Sequence, residues 1–358
     1  MRTFHNIFAV LVAMLVMVAC HSDEMLDTRE GHQLIRFPIV LRNTQQAEEA
    51  GEELVPPTCI YLWGVLNMRA EDQEEATTWM FFRRIVNESW EQDSTQQVTS
   101  LSTYLTLDVG SSKRFRLPDG VTPDEDGTFT CGYIYALGSK FDIDDLIPIH
   151  LTDSIRQIEG GMDKALEMLE EMTLDLSSVH AAMTEGLAPD GLPQGEQGFS
   201  RFVSTLYSSP KALRVEYAQV LSGSNNFYML QAAPRLQLSP CASLVECQWD
   251  LESDSSNEYN GAMSSITLQG LPTRLCIFAP DSNPQQGEPY DCMVLSHNLG
   301  EAVNTLPPSE KWRGTTYAYI LQPASGKMDY TVKLSDETEI KGLTTQDGNG
   351  LYKIKISR

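Results

Sequence analysis

The sequence predicts a mainly β protein of the sandwich or barrel class, with two domains and one helical segment inserted among the strands. Short apolar stretches recur along the chain, and turns rich in Gly, Asp and Pro separate them. At 358 residues the chain is longer than a single hydrophobic core usually supports, so two domains are expected. Only the segment near residues 153–183 departs from the β pattern.

Residues 34–198 are predicted to form an N-terminal β-sandwich domain that carries the helical insertion. Its strand candidates are Leu34–Leu41, Cys59–Met68, Thr78–Val86, Leu101–Val109 and Phe129–Leu137. The last candidate alternates, because Phe129, Cys131, Tyr133 and Tyr135 would share one face of a strand. Polar turn sequences at 118–120 and 124–127 separate it from its predecessor.

The segment from Asp153 to about Met183 is predicted to be one amphipathic helix. Its apolar residues are spaced by three and four, with acids on the opposite face: Ile155, Ile158, Met162, Ala165, Leu166, Leu169, Met172 and Leu176. Such a stripe is expected to pack on a sheet. Residues 186–198, rich in Gly and Pro, are expected to form a linker or exposed loop.

Residues 199–358 are predicted to form a C-terminal β-sandwich domain. Its strand candidates are Leu213–Leu221, Phe227–Leu238, Cys247–Leu251, Ser264–Leu268, Leu275–Phe278, Thr315–Leu321, Tyr330–Leu334 and Leu351–Ser357. In the final segment Tyr352, Ile354 and Ile356 alternate with polar residues, which is typical of a half-buried strand.

The N-terminus is typical of a lipoprotein export signal, predicted to span residues 1–19. Ile7 to Ala19 is an uncharged apolar run of 13 residues that ends in a small residue before Cys20. The run is shorter than the roughly 20 residues of a membrane-spanning helix. The sequence MVAC resembles the lipobox at which a lipoprotein signal peptidase cuts before a lipidated cysteine, here Cys20. The alternative is an ordinary signal peptide with a cysteine at the cleavage site by chance.

Residues 20–33 are expected to be an acidic tether. Its first residues, His21 to Glu24, are similar to the signal that directs Bacteroidetes lipoproteins to the outer face of the outer membrane. We therefore expect a lipid-anchored protein at the cell surface. The net charge is −23, and it becomes −24 when Arg2 leaves with the signal. A field of that sign repels phosphate backbones, so no nucleic-acid partner is expected.

Six cysteines remain after Cys20, an even number that permits three disulfides in an exported protein. Proximity in the sequence favours Cys241–Cys247 and Cys276–Cys292, which leaves Cys59 and Cys131 as the third pair. The alternative is that some are free buried thiols. Metal binding is not expected, because no CxxC spacing occurs.

Several segments of the second half resemble the Bacteroidetes fimbrillin-like family, which includes fimbrial anchor and accessory lipoproteins of type V pili. They are Leu230–Leu236 (LQAAPRL), Ser265–Pro272 (SITLQGLP), Tyr317–Pro323 (YAYILQP) and Gly350–Ile356 (GLYKIKI). Each segment is a weak signal by itself, and their order carries most of the resemblance. It covers mainly residues 226–358 together with the signal.

The resemblance implies two tandem transthyretin-like β-sandwich domains and assembly with other fimbrial subunits by strand donation. An incomplete sandwich exposes backbone groups and a groove that a partner's strand can fill. The implied donor is Leu351–Arg358, with Leu351, Tyr352, Ile354 and Ile356 as its apolar residues. The implied removable strand is Leu34–Leu41, with Arg42 as the site of proteolytic maturation. The alternative for both is an ordinary edge strand that never leaves its domain.

An enzyme is not expected, and no catalytic residue or cofactor is predicted. The chain contains no GxSxG, P-loop, GxGxxG or HExxH sequence. His297 and Glu301 are spaced for one helix face, but two ligands do not make a metal site. Asp93-Ser94-Thr95 and Asp153-Ser154-Ile155 resemble the acceptor sequence of Bacteroidetes O-glycosylation, which makes Ser94 and Ser154 candidate sites. Ser154 could instead cap the predicted helix.

Together these patterns predict a fimbrial anchor or accessory lipoprotein that acts in pilus assembly and cell adhesion. The alternative is a surface lipoprotein that binds glycans or host ligands without polymerising. Exposed aromatic residues on one sandwich face would favour glycan binding, which directs attention to Trp63, Trp79, Trp90, Trp249 and Trp312. The sequence does not identify an adhesion ligand.

Overall fold

The computed structural model describes most of the chain between residues 32 and 357. The described residues are 32–42, 54–68, 76–87, 89–93, 100–111, 128–187, 192, 194–222, 225–232, 235–250, 263–278, 287, 289–296, 313–323, 325–334, 337–347 and 351–357. Within them the protein is mainly β, with several sheets, which confirms the predicted fold class. The export signal, Cys20, Ser94, Trp312 and the pair His297 and Glu301 lie outside the described residues.

The first half contributes six strands; five lie close to the predicted ones, and the short fourth strand was not predicted. They are β1 (His32–Arg42), β2 (Cys59–Met68), β3 (Thr77–Val86), β4 (Glu91–Asp93), β5 (Ser100–Ser111) and β6 (Thr128–Ser139). β2 pairs antiparallel with both β3 and β6 over most of its length. Residues 59–66 are all buried, because one face of β2 lies in each of two hydrophobic clusters. This explains why β2 is a continuous apolar run with little alternation.

The predicted single helix over residues 153–183 is wrong. The segment instead forms β7 (Arg156–Ile158), helix α1 (Gly161–Glu170), β8 (Thr173–Asp175) and α2 (Ser177–Thr184). β7 pairs with β3, and α1 begins only after Gly160, which has a positive φ of 99°. The apolar positions continue across the breaks because β7 and β8 each bury one apolar residue, Ile158 and Leu174 respectively. Two 3-10 turns, Asp144–Leu146 and Ile149–Leu151, precede the segment.

The predicted linker at 186–198 is partly helical, and the strands after it belong to the first sheet. α3 (Gly195–Val203) leads into β9 (Leu206–Ser208), β10 (Leu213–Ser222), β11 (Asn225–Ala232) and β12 (Leu236–Pro240). β6 is the branch point, because one edge pairs with β2 while the other pairs with β10 and then β9. Through β9 and β12 the sheet continues to β1, β5 and β4. Strand pairing therefore changes near residue 240, later than the predicted boundary at residue 199.

The remaining strands form a second set of sheets. They are β13 (Ser243–Asp250), β14 (Met263–Leu271), β15 (Arg274–Cys276), β16 (Tyr290–Ser296), β17 (Arg313–Ile320), β18 (Lys327–Leu334), β19 (Glu339–Thr345) and β20 (Tyr352–Ser357). One sheet has the order β17-β13-β20 and another has the order β16-β14-β18-β19. Their inward side chains share one core, which includes Val245, Cys247, Ile266 and Val332. β15 pairs with β8 of the helical segment.

Two hydrophobic clusters hold these elements together. One lies between β1, β5 and the inner face of β2, β6 and β10, and it includes Phe37, Leu105, Leu62 and Val215. The other begins on the opposite face of β2 and β6 and continues through the helical segment into the second set of sheets. The helical segment thus packs its apolar stripe on a sheet, as the sequence predicts, and also joins the two sets of strands.

Candidate functional site

The two terminal strands are the first candidate site, because the resemblance assigns them to subunit assembly. β1 pairs antiparallel with β5 along its whole length, from His32 opposite Ser111 to Arg42 opposite Ser100. On its other edge it pairs with β12 over three residues only, Ile39–Leu41 with Leu236–Leu238. β1 is therefore held along one long edge and one short edge.

The side chains of β1 alternate between a fully buried face and a partly buried face, although Val40 on the second face is also buried. Ile35, Phe37, Ile39 and Leu41 are at most 1% exposed and lie in the first hydrophobic cluster. Pro38 and the neighbouring polar positions are half-buried on the opposite face. If β1 left, four large apolar side chains would leave the core, and the edge of β5 would lose its partner. The space left behind has the geometry that an incoming strand with alternating apolar residues could fill.

Arg42 and Arg36, the two arginines of β1, are placed differently. Arg42 is the last residue of β1 and is half-buried, and its Nε has no hydrogen-bond partner among the described residues. The Arg36 guanidinium carbon lies 5.0 Å from the centre of the Tyr104 ring, a cation–π distance within the strand ladder. Arg42 is at the end of the strand and Arg36 is in its middle, so cleavage at Arg42 would require less of the pairing with β5 to open.

β20 fills the core of its own sandwich. Leu351, Tyr352, Ile354 and Ile356 are at most 6% exposed, and β20 pairs parallel with β13 at the edge of the three-stranded sheet. Burial also raises the pKa of the Tyr352 phenol to about 12. Thr344 on β19 donates a hydrogen bond of 2.9 Å to the carbonyl of Lys353. In this conformation the implied donor strand is an edge strand paired within its own sandwich, as the alternative interpretation describes.

All six described cysteines are free thiols, so none of the three pairings forms in the structure. A Cys59–Cys131 bridge is excluded by register and by face. Cys59 is at the start of β2, whereas Cys131 lies on β6 beside the other end of β2, roughly 26 Å along the strand at 3.3 Å per residue. The two side chains also lie in different hydrophobic clusters. Cys276 donates its thiol hydrogen to the carbonyl of Glu170, and burial raises the pKa of Cys247 to about 12. These are the features of buried structural thiols.

Ser154, the described candidate for glycosylation, is exposed and lies in a bend before β7. Its carbonyl accepts a hydrogen bond from Arg83, which holds the backbone while the side chain faces solvent. The prediction that Ser154 caps a helix is wrong, because the next α-helix begins at Gly161. The position therefore has the accessibility that a modified serine requires.

An aromatic seam between the two sets of strands was not predicted from the sequence. Phe278, just after β15, lies 5.6 Å from the ring of Trp63 and 4.8 Å from that of Tyr135. Trp63 also donates a buried hydrogen bond of 2.9 Å to the carbonyl of Leu151. The sequence patterns could place each of these residues on an apolar face of its own element. They could not show that the faces of the two sets of strands contact each other.

A polar network fixes the turn after β6. Arg84 pairs with Asp142 at 2.7 Å and with Asp144 at 2.9 Å, and the backbone N–H of Ile143 donates to the Tyr61 hydroxyl. The N–H of Asp144 also donates to Asp142, and this hydrogen bond, with the nearby Arg84 charge, lowers the pKa of the Asp142 carboxyl. Burial raises the pKa of Tyr61, which keeps its hydroxyl neutral.

Most described tryptophans are structural. Trp63 is buried, whereas Trp79 and Trp90 are half-buried and donate to Thr77 Oγ1 at 2.8 Å and to the carbonyl of Pro57 at 3.0 Å. Trp249 is half-buried and lines an open cleft. Among the described residues no His, Cys, Asp and Glu cluster could hold a metal ion, and no helix is long and apolar enough to span a bilayer.

No protein-family model matches the chain, and no curated protein matches it in sequence. Among solved structures, a fimbrial assembly protein from Parabacteroides distasonis is similar over 90% of this chain and 91% of its own, with 10% identity and a TM-score of 0.41. A fimbrial protein from Bacteroides ovatus is similar over 92% of this chain and 50% of its own, with 8% identity and a TM-score of 0.29. These values are too low to carry an argument, so function is argued from the chain's own residues.

Proposed function

We propose that the protein is a cell-surface lipoprotein that acts as a fimbrial anchor or accessory subunit, in pilus assembly and adhesion, without catalysis. Three features of the chain support this proposal. The sequence around Cys20 resembles a lipobox, and the segments of the second half follow the order of the fimbrillin-like family. The third feature is the position of β1, which carries the argument.

β1 is the first described element after the tether, and it contributes four buried side chains to the first cluster. A subunit that keeps β1 has no open groove beside β5 and cannot accept a partner's strand there. If such a subunit also keeps its lipid at Cys20, it ends a fibre and ties it to the membrane. Cys20 and β1 both lie on the N-terminal side of a cut after Arg42. A subunit therefore keeps the lipid and the strand together or loses them together.

The opposite role requires loss of β1. Cleavage after Arg42 would release the lipid together with the strand, and the body would gain a groove for a donor strand. That subunit would belong to the fibre shaft. β20 would then have to leave its own core to act as the donor, which costs the burial of its four apolar side chains. The shaft role needs β1 and β20 both to leave their places, whereas the anchor or accessory role needs neither to leave, and for this reason we propose the anchor or accessory role.

The deciding measurement is the intact mass and N-terminus of the protein purified from its native outer membrane. For an anchor we expect an acylated Cys20 and β1 present in every molecule. An Arg42→Gln variant is the matched control, and its mass should match the wild type apart from the substitution. A wild-type N-terminus at Asn43 that is absent in the variant would contradict the anchor role and indicate a polymerising shaft subunit.

A further inference from the structure

Two cysteines point into one core from two different sheets of the second set of strands. Cys247 is on β13, in the middle of the sheet β17-β13-β20, and Cys292 is on β16, at the edge of the sheet β16-β14-β18-β19. Their exposed fractions are 0% and 1%, and both belong to the hydrophobic cluster that the two sheets share. The two thiols are therefore enclosed in the same apolar interior.

The strand register confirms that both thiols are on the inward faces of their sheets. Cys247 is opposite Ile354 on β20, and Cys292 is opposite Leu268 on β14. Residues directly opposite each other share a face, and both partners are buried in the same cluster. The sheets converge on this side of the sandwich, because β16 approaches β17, the neighbour of β13, to within 8 Å between Cα atoms.

The two thiols also influence each other electrostatically. Burial raises the pKa of the Cys247 thiol to about 12, and the nearby Cys292 sulfur adds to this rise. Such an influence falls off with distance, so the two sulfurs lie near each other. The other four described cysteines contact different groups: Cys59 contacts Arg84, Cys131 the carbonyl of Val215, Cys241 the Ser208 side chain, and Cys276 the carbonyl of Glu170.

We propose that Cys247 and Cys292 form a disulfide in the exported protein. The two Sγ–H bonds break and one Sγ–Sγ bond forms. Two electrons and two protons pass to the disulfide of an oxidant, a thiol–disulfide oxidoreductase or a small disulfide, which becomes two thiols. Because only a thiolate reacts and burial raises the pKa of Cys247, the bond forms before the core closes.

The bridge ties the two sheets of the sandwich to each other. It joins β13 to β16 and closes a loop of the chain that contains β14 and β15. Closing this loop restricts the unfolded chain and therefore stabilises the fold. Neither cysteine belongs to β1 or β20, so the bridge is compatible with either role of the terminal strands.

The test is alkylation of the full chain purified from its native outer membrane and denatured directly in N-ethylmaleimide. Without a reductant, the digest should contain one peptide pair joined through Cys247 and Cys292, lighter by two hydrogens than the separate thiol peptides. Prior reduction should release the pair and make both cysteines reactive. The internal controls should be alkylated with or without reduction: Cys59, Cys131, Cys241 and Cys276.

Thermal melting measures what the bridge does in the folded chain. Each protein is melted as purified, and again after reduction in urea and refolding with the reductant. Reduction should lower the wild-type midpoint by about 5–10 °C, because the unfolded chain regains the entropy of the open loop. Cys247→Ala should melt at one temperature in both states. Cys276→Ala, a buried cysteine outside the pair, is the matched control and should keep the wild-type response.

Each variant is compared with itself, so a packing loss caused by alanine does not affect the reading. Cys292→Ala replaces Cys247→Ala if the latter does not fold, and the alkylation test needs no variant. Alkylation of both cysteines without reduction would overturn the proposal, as would a peptide that joins either of them to another cysteine. A wild-type midpoint that does not respond to reduction would also count against it. The N-terminal mass measurement concerns Cys20 and β1, so this proposal and the anchor role can fail separately.

Discussion

At the scale of single residues, three glycines each accommodate an aromatic ring of the neighbouring strand. Gly64 is opposite Phe81, Gly314 is opposite Trp249, and Gly342 is opposite Tyr330. In each pair a Cβ on the glycine would overlap the ring. Pairing an aromatic residue with a strand glycine covers the backbone that the glycine leaves bare. These glycines are therefore packing residues, whereas sequence patterns alone treat a strand glycine as a weak point.

Gly64→Ala should destabilise the protein by about 1–3 kcal/mol, because the new methyl group forces the buried Phe81 ring out of place. The measurement is urea unfolding of the full chain. The same substitution in a Phe81→Leu background should cost less, since the smaller side chain leaves room for the methyl group. An equal cost in both backgrounds would show that the ring contact is unimportant.

The Arg84 network makes a small part of the stability dependent on pH. The folded-state pKa of Asp142 is lowered, so the ionised carboxylate stabilises the fold above its unfolded pKa of about 3.9. That contribution is lost as the pH falls through the folded-state pKa. Asp142→Asn should therefore be less stable than the wild type at pH 7, and the two should converge once the pH is below the folded-state pKa of Asp142. Urea unfolding across this range is the measurement.

Asp145→Asn is the matched control for the pH experiment, because Asp145 is an exposed neighbour outside the Arg84 ion pairs. It should follow the wild type at every pH. A stability difference between Asp142→Asn and the wild type that stayed constant from pH 7 to pH 3 would rule out the carboxylate as its source.

At the scale of elements, the sequence predicts best those strands whose alternation is set by burial on one face. β1 and β20 were found close to their predicted bounds for this reason. The bounds of β6 were also predicted, but the prediction that Phe129, Cys131, Tyr133 and Tyr135 share one face is wrong. Phe129 and Cys131 lie in one cluster and Tyr133 and Tyr135 in the other, because the register with β10 shifts between them and β6 is buried on both faces. β19 was not predicted, because only Thr344 of its seven residues is buried and no apolar period results. The helical segment was mispredicted because β7 and β8 take their strand form from partners far along the chain, β3 and β15.

The terminal strands and the contact between Trp249 and Gly314 differ in how far the sequence predicts them. The sequence predicts β1, Arg42 and β20, since each can be located from the residues next to it in the chain. The contact of Trp249 with Gly314 is not predicted, because Gly314 comes opposite Trp249 only through the register of β13 with β17. Register depends on the fold of the whole sandwich and leaves no local signal.

The packing of β20 gives a direct test of its part in the monomer. Ile354→Ala should lower the free energy of unfolding by about 2–5 kcal/mol, because it removes a buried side chain from the core. Lys353→Ala, one residue away and exposed, should change it by less than about 0.5 kcal/mol. Equal stability of Ile354→Ala and wild type in urea would mean that β20 is not seated in the core and is free for donation.

At the scale of the whole molecule, one hydrophobic cluster extends from the outer face of β2 into the second set of sheets. Trp63 and Tyr135 from the first set meet Phe278 from the second set within this cluster. The helical segment contributes buried residues such as Leu169 and Met183. An apolar and continuous contact of this kind couples the two predicted domains, which a linker at residues 186–198 would not do.

We therefore expect the full chain to unfold in one calorimetric transition. Phe278→Ala should lower the temperature of that single transition, because it removes the ring at the centre of the seam, at a cost of about 3–5 kcal/mol. Met293→Ala, a half-exposed position on β16, is the control and should have little effect. Two separate transitions in the wild type would contradict the coupling and show that the halves fold independently.

The long pairing of β1 with β5 has a mechanical consequence. If the chain is tethered through Cys20, a pull on the fibre reaches the body at His32 and acts along the axis of β1. The eleven residue pairs between β1 and β5 then bear the load together, in shear, and do not open one after another like a zipper. In the proposed anchor role, β1 would thus carry the tension between the lipid and the rest of the protein.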